Sequence, residues 1–146
     1  MTESKKQLKV ASYLVLVMAV ISAVDIVLEL CFGTINSMII PEGAPENTLL
    51  IAKIFIGVIS AMVLIPQFYV GFRGLRVVKK RTKSKAHIVW AIVILCFITW
   101  GLVENVIGIV SQSGTGDYVG ALLDHILELI IYIDYVRYAR AVAKGK

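Results

Sequence analysis

Acidic side chains occur inside long apolar stretches of this 146-residue chain. An acid near the centre of an apolar membrane helix costs at least about 2.5 kcal/mol, so such groups pair, share protons, bind cations or line water. The chemistry to look for is therefore cation or proton binding in apolar surroundings. Six of the ten acidic residues occupy such stretches: Asp25, Glu29, Glu104, Asp124, Glu128 and Asp134.

Five of these six acids lie toward one end of their stretches, within about 14 Å of it at 1.5 Å per helical residue. The sixth, Asp134, lies near the opposite end, where Arg137 and Tyr138 follow at helical spacing and predict a local ion pair or a contact that reaches the membrane interface. Lys53 is the one basic residue found among the five. The candidate polar cluster consists of Asp25, Glu29, Lys53, Glu104, Asn105, Asp124, His125 and Glu128.

The spacing of these residues predicts polar stripes on three helices, because residues three, four and seven apart share a helix face. Such stripes meet only if a bundle folds around them. The predicted stripes are Ser22, Asp25 and Glu29; Trp100, Glu104 and Gly108; and Asp124, Glu128, Tyr132 and Tyr135.

Three interpretations of the cluster are open. In one, a polar cavity binds a cation or passes protons, with Lys53 as the counter-charge. In the second, the groups are structural: Lys53 pairs with an acid, and the others hydrogen-bond or reach the interface. In the third, a metal enzyme uses His125-Ile-Leu-Glu128, the reverse of the Glu-x-x-His pattern of di-iron bundles. We expect no resident metal or cofactor and no catalytic residue.

The elements that carry the cluster are four apolar stretches, each close to the roughly 20 residues that span a bilayer as a helix. Residues are 58% hydrophobic and only 17% charged, and the mean hydropathy is +0.83. This composition excludes an ordinary soluble domain and intrinsic disorder. We predict one all-α integral membrane domain over 1–146, an antiparallel four-transmembrane-helix bundle. Its helices are expected at about 10–32, 49–72, 88–110 and 119–138.

The basic residues predict how the chain is threaded. Fourteen of the 15 Lys and Arg residues flank the stretches at the termini or between the second and third. The positive-inside rule then places both termini and the central basic loop in the cytoplasm, at the cytoplasmic membrane. We expect this face to attract anionic lipids, and we expect no nucleic-acid partner. The basic loop comprises Arg73, Arg76, Lys79, Lys80, Arg81, Lys83 and Lys85.

A weak internal repeat relates the first and second halves. A shift of 79 positions places Val10 on Val89 and Asp25 on Glu104, and a shift of 64 aligns the end of the second stretch with the end of the fourth. Repeats of this kind occur in membrane proteins as related helical hairpins. We therefore predict two tandem hairpins, with chance similarity of apolar runs as the alternative.

One short motif begins at the end of the second apolar stretch. Gly71-Phe-Arg-Gly74-Leu-Arg76, followed by Lys83-Ser-Lys85-Ala86, resembles a segment of uncharacterised small four-helix integral membrane proteins of Gram-positive bacteria. The resemblance implies an architecture and no activity. The function predicted is a non-catalytic structural or interaction protein, with a second copy or another membrane protein as partner. A proton- or cation-coupled permeation unit and a metal-dependent intramembrane enzyme are the alternatives.

Overall fold

The computed structural model describes residues 2–32, 47–79, 85–111 and 117–145. Within these ranges the regular structure is helical throughout, so the all-α prediction is confirmed. In chain order, the four helices are α1 (Glu3–Phe32), α2 (Thr48–Val78), α3 (Ala86–Ser111) and α4 (Asp117–Ala143).

The helices extend beyond the predicted apolar stretches mainly at their basic ends. Helix α1 begins at Glu3 rather than near residue 10, and α2 ends at Val78 rather than near residue 72. Lys and Arg are good helix formers, so a helix continues past its apolar part until other signals end it. Arg73 and Arg76 consequently lie in α2 instead of a loop. Of the other basic-loop residues, Lys79 follows α2 directly and Lys85 precedes α3, while Lys80, Arg81 and Lys83 lie outside the described residues.

Three of the four helices, α1, α2 and α3, are long and apolar enough to cross a membrane. Helix α4 has 27 residues, which is also sufficient length, but it is the least apolar of the four. Its lower hydropathy has a direct cause, because Asp124, Glu128 and Asp134 lie within its length. The membrane prediction is therefore supported for three helices by length and composition.

Each helix packs against two neighbours. Helix α1 contacts α2 and α4, and α3 contacts the same two helices. At the α1–α2 contact, Leu16 packs over Gly71 and Leu30 over Gly57. At the α3–α4 contact, His125 packs over Gly101. The four helices thus surround a common axis.

The hydrophobic core occupies one end of the bundle. The last buried residue of α1 is Ala19 and the first of α2 is Gln67. In α3 none follows Ile98. We call residues 8–19, 67–74, 87–98 and 131–139 the closed end, and the remaining described parts of the four helices, away from the basic ends, the open half. No described residue of the open half is buried.

The buried positions of α1 and α3 coincide under the shift of 79 that suggested the repeat. Both helices bury one stripe near their N-terminal ends, at helical spacing. Four of the five buried α1 residues map onto buried α3 residues. The pairs are Leu8 with His87, Ser12 with Ala91, Val15 with Ile94 and Ala19 with Ile98.

Candidate functional site

Asp25 lies on the outer surface of the bundle. It shares a helix face with Ile21 and Leu28, four residues before and three after it, and all three side chains are exposed. The buried stripe of α1 runs along a different face, through Val15 and Ala19. The structure therefore does not bring the Asp25 carboxylate to the bundle axis.

Glu104 also lies on the outer surface, in the open half of α3. Trp100 and Ile107, four residues before and three after it, are exposed on the same face. The Trp100 indole N–H donates a hydrogen bond to Glu104 Oε1 over 2.7 Å. A hydrogen bond to a carboxylate is roughly twice as strong as one between neutral groups, so Trp100 offsets part of the cost of this exposed acid.

Glu128 lies on the core-facing side of α4. Ile131, Tyr132 and Tyr135, at three, four and seven positions beyond it, are all buried. Glu128 itself is half-buried, because it belongs to the open half. Asn105 likewise lies on the core-facing side of its helix, α3, seven positions after buried Ile98. The face indicated by the α4 stripe is thus found for Glu128, whereas on α3 the inward polar residue is Asn105 and not Glu104 of the predicted stripe.

The α4 members of the polar cluster come together. Glu128 lies within electrostatic range of His125 and Asp124. His125 packs over Gly101, where a methyl group would lie 2.7 Å from Nε2. Asp124 is exposed and His125 half-buried. This trio is the compact part of the predicted cluster.

The remaining cluster members, Lys53 and Glu29, lie near the ends of their helices that are remote from the closed end. Lys53 is half-buried on α2, and Glu29 is exposed on α1. Among the described residues, no three His, Cys, Asp or Glu side chains lie close enough to hold a metal ion. The functional role of the eight-residue cluster stays a prediction.

A cavity of about 380 Å³ lies between α2, α3 and α4. Its walls are mostly apolar, formed by residues such as Met62, Val63 and Phe97. Gln67, His125 and Glu128 supply its polar lining. A mostly apolar cavity of this size with a few polar groups is typical of ligand sites.

Sequence reasoning missed three polar residues of the closed end, whereas Tyr132 and Tyr135 belong to the predicted α4 stripe. Ser12, Gln67 and His87 are buried there, and so are the hydroxyl-bearing side chains Tyr132 and Tyr135. Gln67 is 5% exposed and Tyr132 is 1% exposed. Within the described residues, neither Gln67 Oε1 nor the Tyr132 hydroxyl has a hydrogen-bond partner. A buried polar group of this kind usually marks an ordered water, an ion or a functional role.

Tyr135 links α4 to α2. Its hydroxyl donates a hydrogen bond to the Val70 backbone carbonyl over 2.8 Å, and its ring meets the His87 ring edge-on with centroids 6.1 Å apart. Gly74 makes room for this arrangement. A Cβ at residue 74 would collide with Ser12 Oγ and lie 2.7 Å from the Tyr135 hydroxyl oxygen. A glycine at residue 74 is therefore required by packing.

The signal that could have revealed this region is the pair Gly71 and Gly74. Small residues at a helix contact allow close backbone approach. A methyl group at Gly71 would lie 2.6 Å from Leu16 Cγ.

No protein-family model, curated protein or solved structure matches the chain.

Proposed function

We propose that this protein is a non-catalytic interaction protein of the cytoplasmic membrane, with four transmembrane helices and both termini in the cytoplasm. The closed end holds the helices together. The open half assembles with a second copy or another membrane protein through the outer faces of α1 and α3. The observation that carries this proposal is the outward position of Asp25 and Glu104 in otherwise apolar helices.

An antiparallel bundle is supported by the order of contacts. Leu16 faces Gly71 and Leu30 faces Gly57, so residue numbers rise along α1 as they fall along α2. Among the acids of α4, Glu128 turns toward the bundle interior, which lowers its cost in a membrane, whereas Asp124 is exposed nearer the start of the helix. The matching buried stripes of α1 and α3 support the two-hairpin repeat, in which Asp25 and Glu104 are equivalent.

The physical reason for assembly is the cost of the acids that are exposed in the open half, among them Asp25 of α1 and Glu104 of α3. An acid facing lipid near mid-helix is unfavourable by a few kcal/mol, and polar contact with a partner relieves that cost. The Trp100 hydrogen bond satisfies one oxygen of Glu104 only in part, because a carboxylate can accept several. Asp25 stands among exposed aliphatic side chains, which form the rest of the contact surface.

Site-specific photo-crosslinking tests where the partner sits. Ile107 and Val89 belong to the same helix and are both 61% exposed, but Ile107 lies beside Glu104 and Val89 lies at the closed end. A benzophenone amino acid at residue 107 is expected to yield a protein adduct in native membranes, whereas residue 89 yields lipid adducts. Equal protein capture at both positions, or none at residue 107, contradicts the proposal.

A second candidate function is proton-coupled permeation, favoured by the polar residues that lie between Glu128 and the basic end of the bundle. Glu128 and the buried hydroxyls of Tyr132 and Tyr135 follow one face of α4 toward the basic end, and His87 contacts Tyr135. Side chains in such a row can relay protons with intervening water.

Flux measurements separate the two functions. In proteoliposomes with an imposed pH gradient, permeation requires a proton leak that Glu128→Gln and Tyr132→Phe each reduce at least tenfold. Asp25→Asn is the control, since it removes an acid on the outside of the bundle. Interaction without permeation predicts the same background leak for all four proteins.

A further inference from the structure

A groove at the basic end of the bundle, between the start of α3 and the end of α4, carries three positive charges. Its lining consists of Lys85, Arg140 and Lys144 together with Ile88, Val89 and Ala143. None of the six lining residues is acidic. The positive charges therefore face one concave surface that has apolar side chains between them.

The chemistry of the groove matches one class of ligand. Phosphate oxygens accept hydrogen bonds from Arg and attract Lys as a point charge. Val89 is exposed beside the charges and offers a methyl surface to a hydrocarbon chain. Free inorganic phosphate would use the cations and leave the apolar surface uncovered.

We propose that this groove binds the headgroup and upper acyl chain of one anionic phospholipid. The proposal rests on the proposed membrane insertion and adds a specific site to it. Because α3 begins at Ala86 and the last predicted apolar residue of α4 is Tyr138, the groove lies where the helices leave the apolar layer. The basic residues there meet headgroups, while Val89, which is exposed, meets chains.

The chain offers a matched control for the charge itself. Lys5, Lys6 and Lys9 lie at the basic end of α1, and none of them lines this groove. The variant K5Q/K6Q/K9Q removes the same number of charges as K85Q/R140Q/K144Q. Diffuse attraction of anionic lipid falls by a similar factor in both variants, about fivefold for each charge removed. A bound lipid is lost only from the groove variant.

The experiment measures lipid retained by the purified full-length protein in native mass spectrometry, from bilayers of phosphatidylglycerol and phosphatidylcholine. Wild type and the α1 variant are expected to keep one phosphatidylglycerol per chain. The groove variant is expected to lose its preference for phosphatidylglycerol over phosphatidylcholine by at least tenfold more than the α1 variant. Inorganic phosphate at millimolar concentration is expected to leave the bound lipid in place.

Two results would overturn the site. One is an equal loss in both variants, which means diffuse attraction only; the other is displacement of the lipid by inorganic phosphate. Resistance of each variant to carbonate extraction from membranes is measured in parallel. A variant that is not inserted marks a failure of the proposed membrane function, whereas an inserted protein without the lipid preference marks a failure of the groove alone.

Discussion

The Tyr135 hydroxyl donates a hydrogen bond to the backbone carbonyl of Val70 across 2.8 Å, and both residues are completely buried. This bond joins α4 to α2, while Gly74 leaves space for the hydroxyl and Cε2 of the tyrosine. It identifies the closed end as the part of the bundle that fixes the helices relative to one another. The open half, by contrast, has no buried described residue.

Replacing Tyr135 by Phe is expected to lower the free energy of unfolding by about 1 kcal/mol, the usual net value of a buried hydrogen bond. The ring and its packing remain. Denaturant unfolding in detergent measures the change, with Tyr13→Phe as the control because Tyr13 is exposed. A loss no larger than that of the control would mean that the bond does not contribute to stability.

Replacing Gly74 by Ala is expected to destabilise the protein by about 1–3 kcal/mol, as overpacking of a tight core does. The new methyl group would collide with Ser12 and Tyr135. Gly57→Ala is the matched substitution in the same helix, where the nearest side-chain atom would be 3.9 Å away. We expect that variant to be neutral or more stable by up to about 1 kcal/mol, because Ala is the better helix former. Similar losses at both positions would contradict the close approach.

Replacing Tyr132 by Phe is expected to leave stability unchanged or to raise it slightly. The hydroxyl is buried without a partner among the described residues, so its removal relieves a desolvation cost. The same unfolding measurement tests this expectation. A loss above about 1 kcal/mol would show that the hydroxyl is bound, by water or by a group beyond the described residues.

Labelling of Cys31 tests the predicted orientation of the chain across the membrane. This cysteine is exposed at the end of α1 that is remote from the basic residues. A membrane-impermeant maleimide is expected to label it in intact spheroplasts and to give no label in Cys31→Ser. Cys96, in the middle of α3, is expected to stay unlabelled because the proposed insertion places it inside the bilayer. Labelling of Cys31 only after permeabilisation would reverse the predicted topology.

The helices could be predicted from the sequence because four apolar stretches separated by polar segments specify them almost without ambiguity. The positions of the basic ends were less predictable. Arg73 and Arg76 continue α2, since charge alone does not stop a helix. The residue at which an apolar stretch ends is therefore not the residue at which its helix ends.

The faces of the polar residues were only partly predictable. Glu128 faces the core as its stripe with Tyr132 and Tyr135 indicates, whereas Glu104 faces outward and its neighbour Asn105 faces inward. One residue along a helix turns the side chain by about 100°. The predicted α3 stripe of Trp100, Glu104 and Gly108 rests on a single charged residue in a mostly apolar helix, so it does not fix the rotation of that helix. The packing of the closed end decides it.

The closed end itself has no strong sequence signature. Gly71 and Gly74 are visible in the sequence as a pair of small residues, but their partners Leu16, Ser12 and Tyr135 come from distant parts of the chain. Polar residues such as Gln67 and Ser12 stand alone in apolar stretches, where they are equally compatible with a lipid-facing or an interior position. Only the three-dimensional contacts distinguish those positions.

The most direct test of assembly through the open half is the mass of the particle released from native membranes. Wild type is expected to appear as an oligomer or as a complex with another membrane protein. The double variant D25L/E104L is expected to appear as the single chain, because leucine removes the cost that assembly relieves. D134N is the control and is expected to behave as wild type. A wild-type protein that is released only as the single chain would contradict the proposed function.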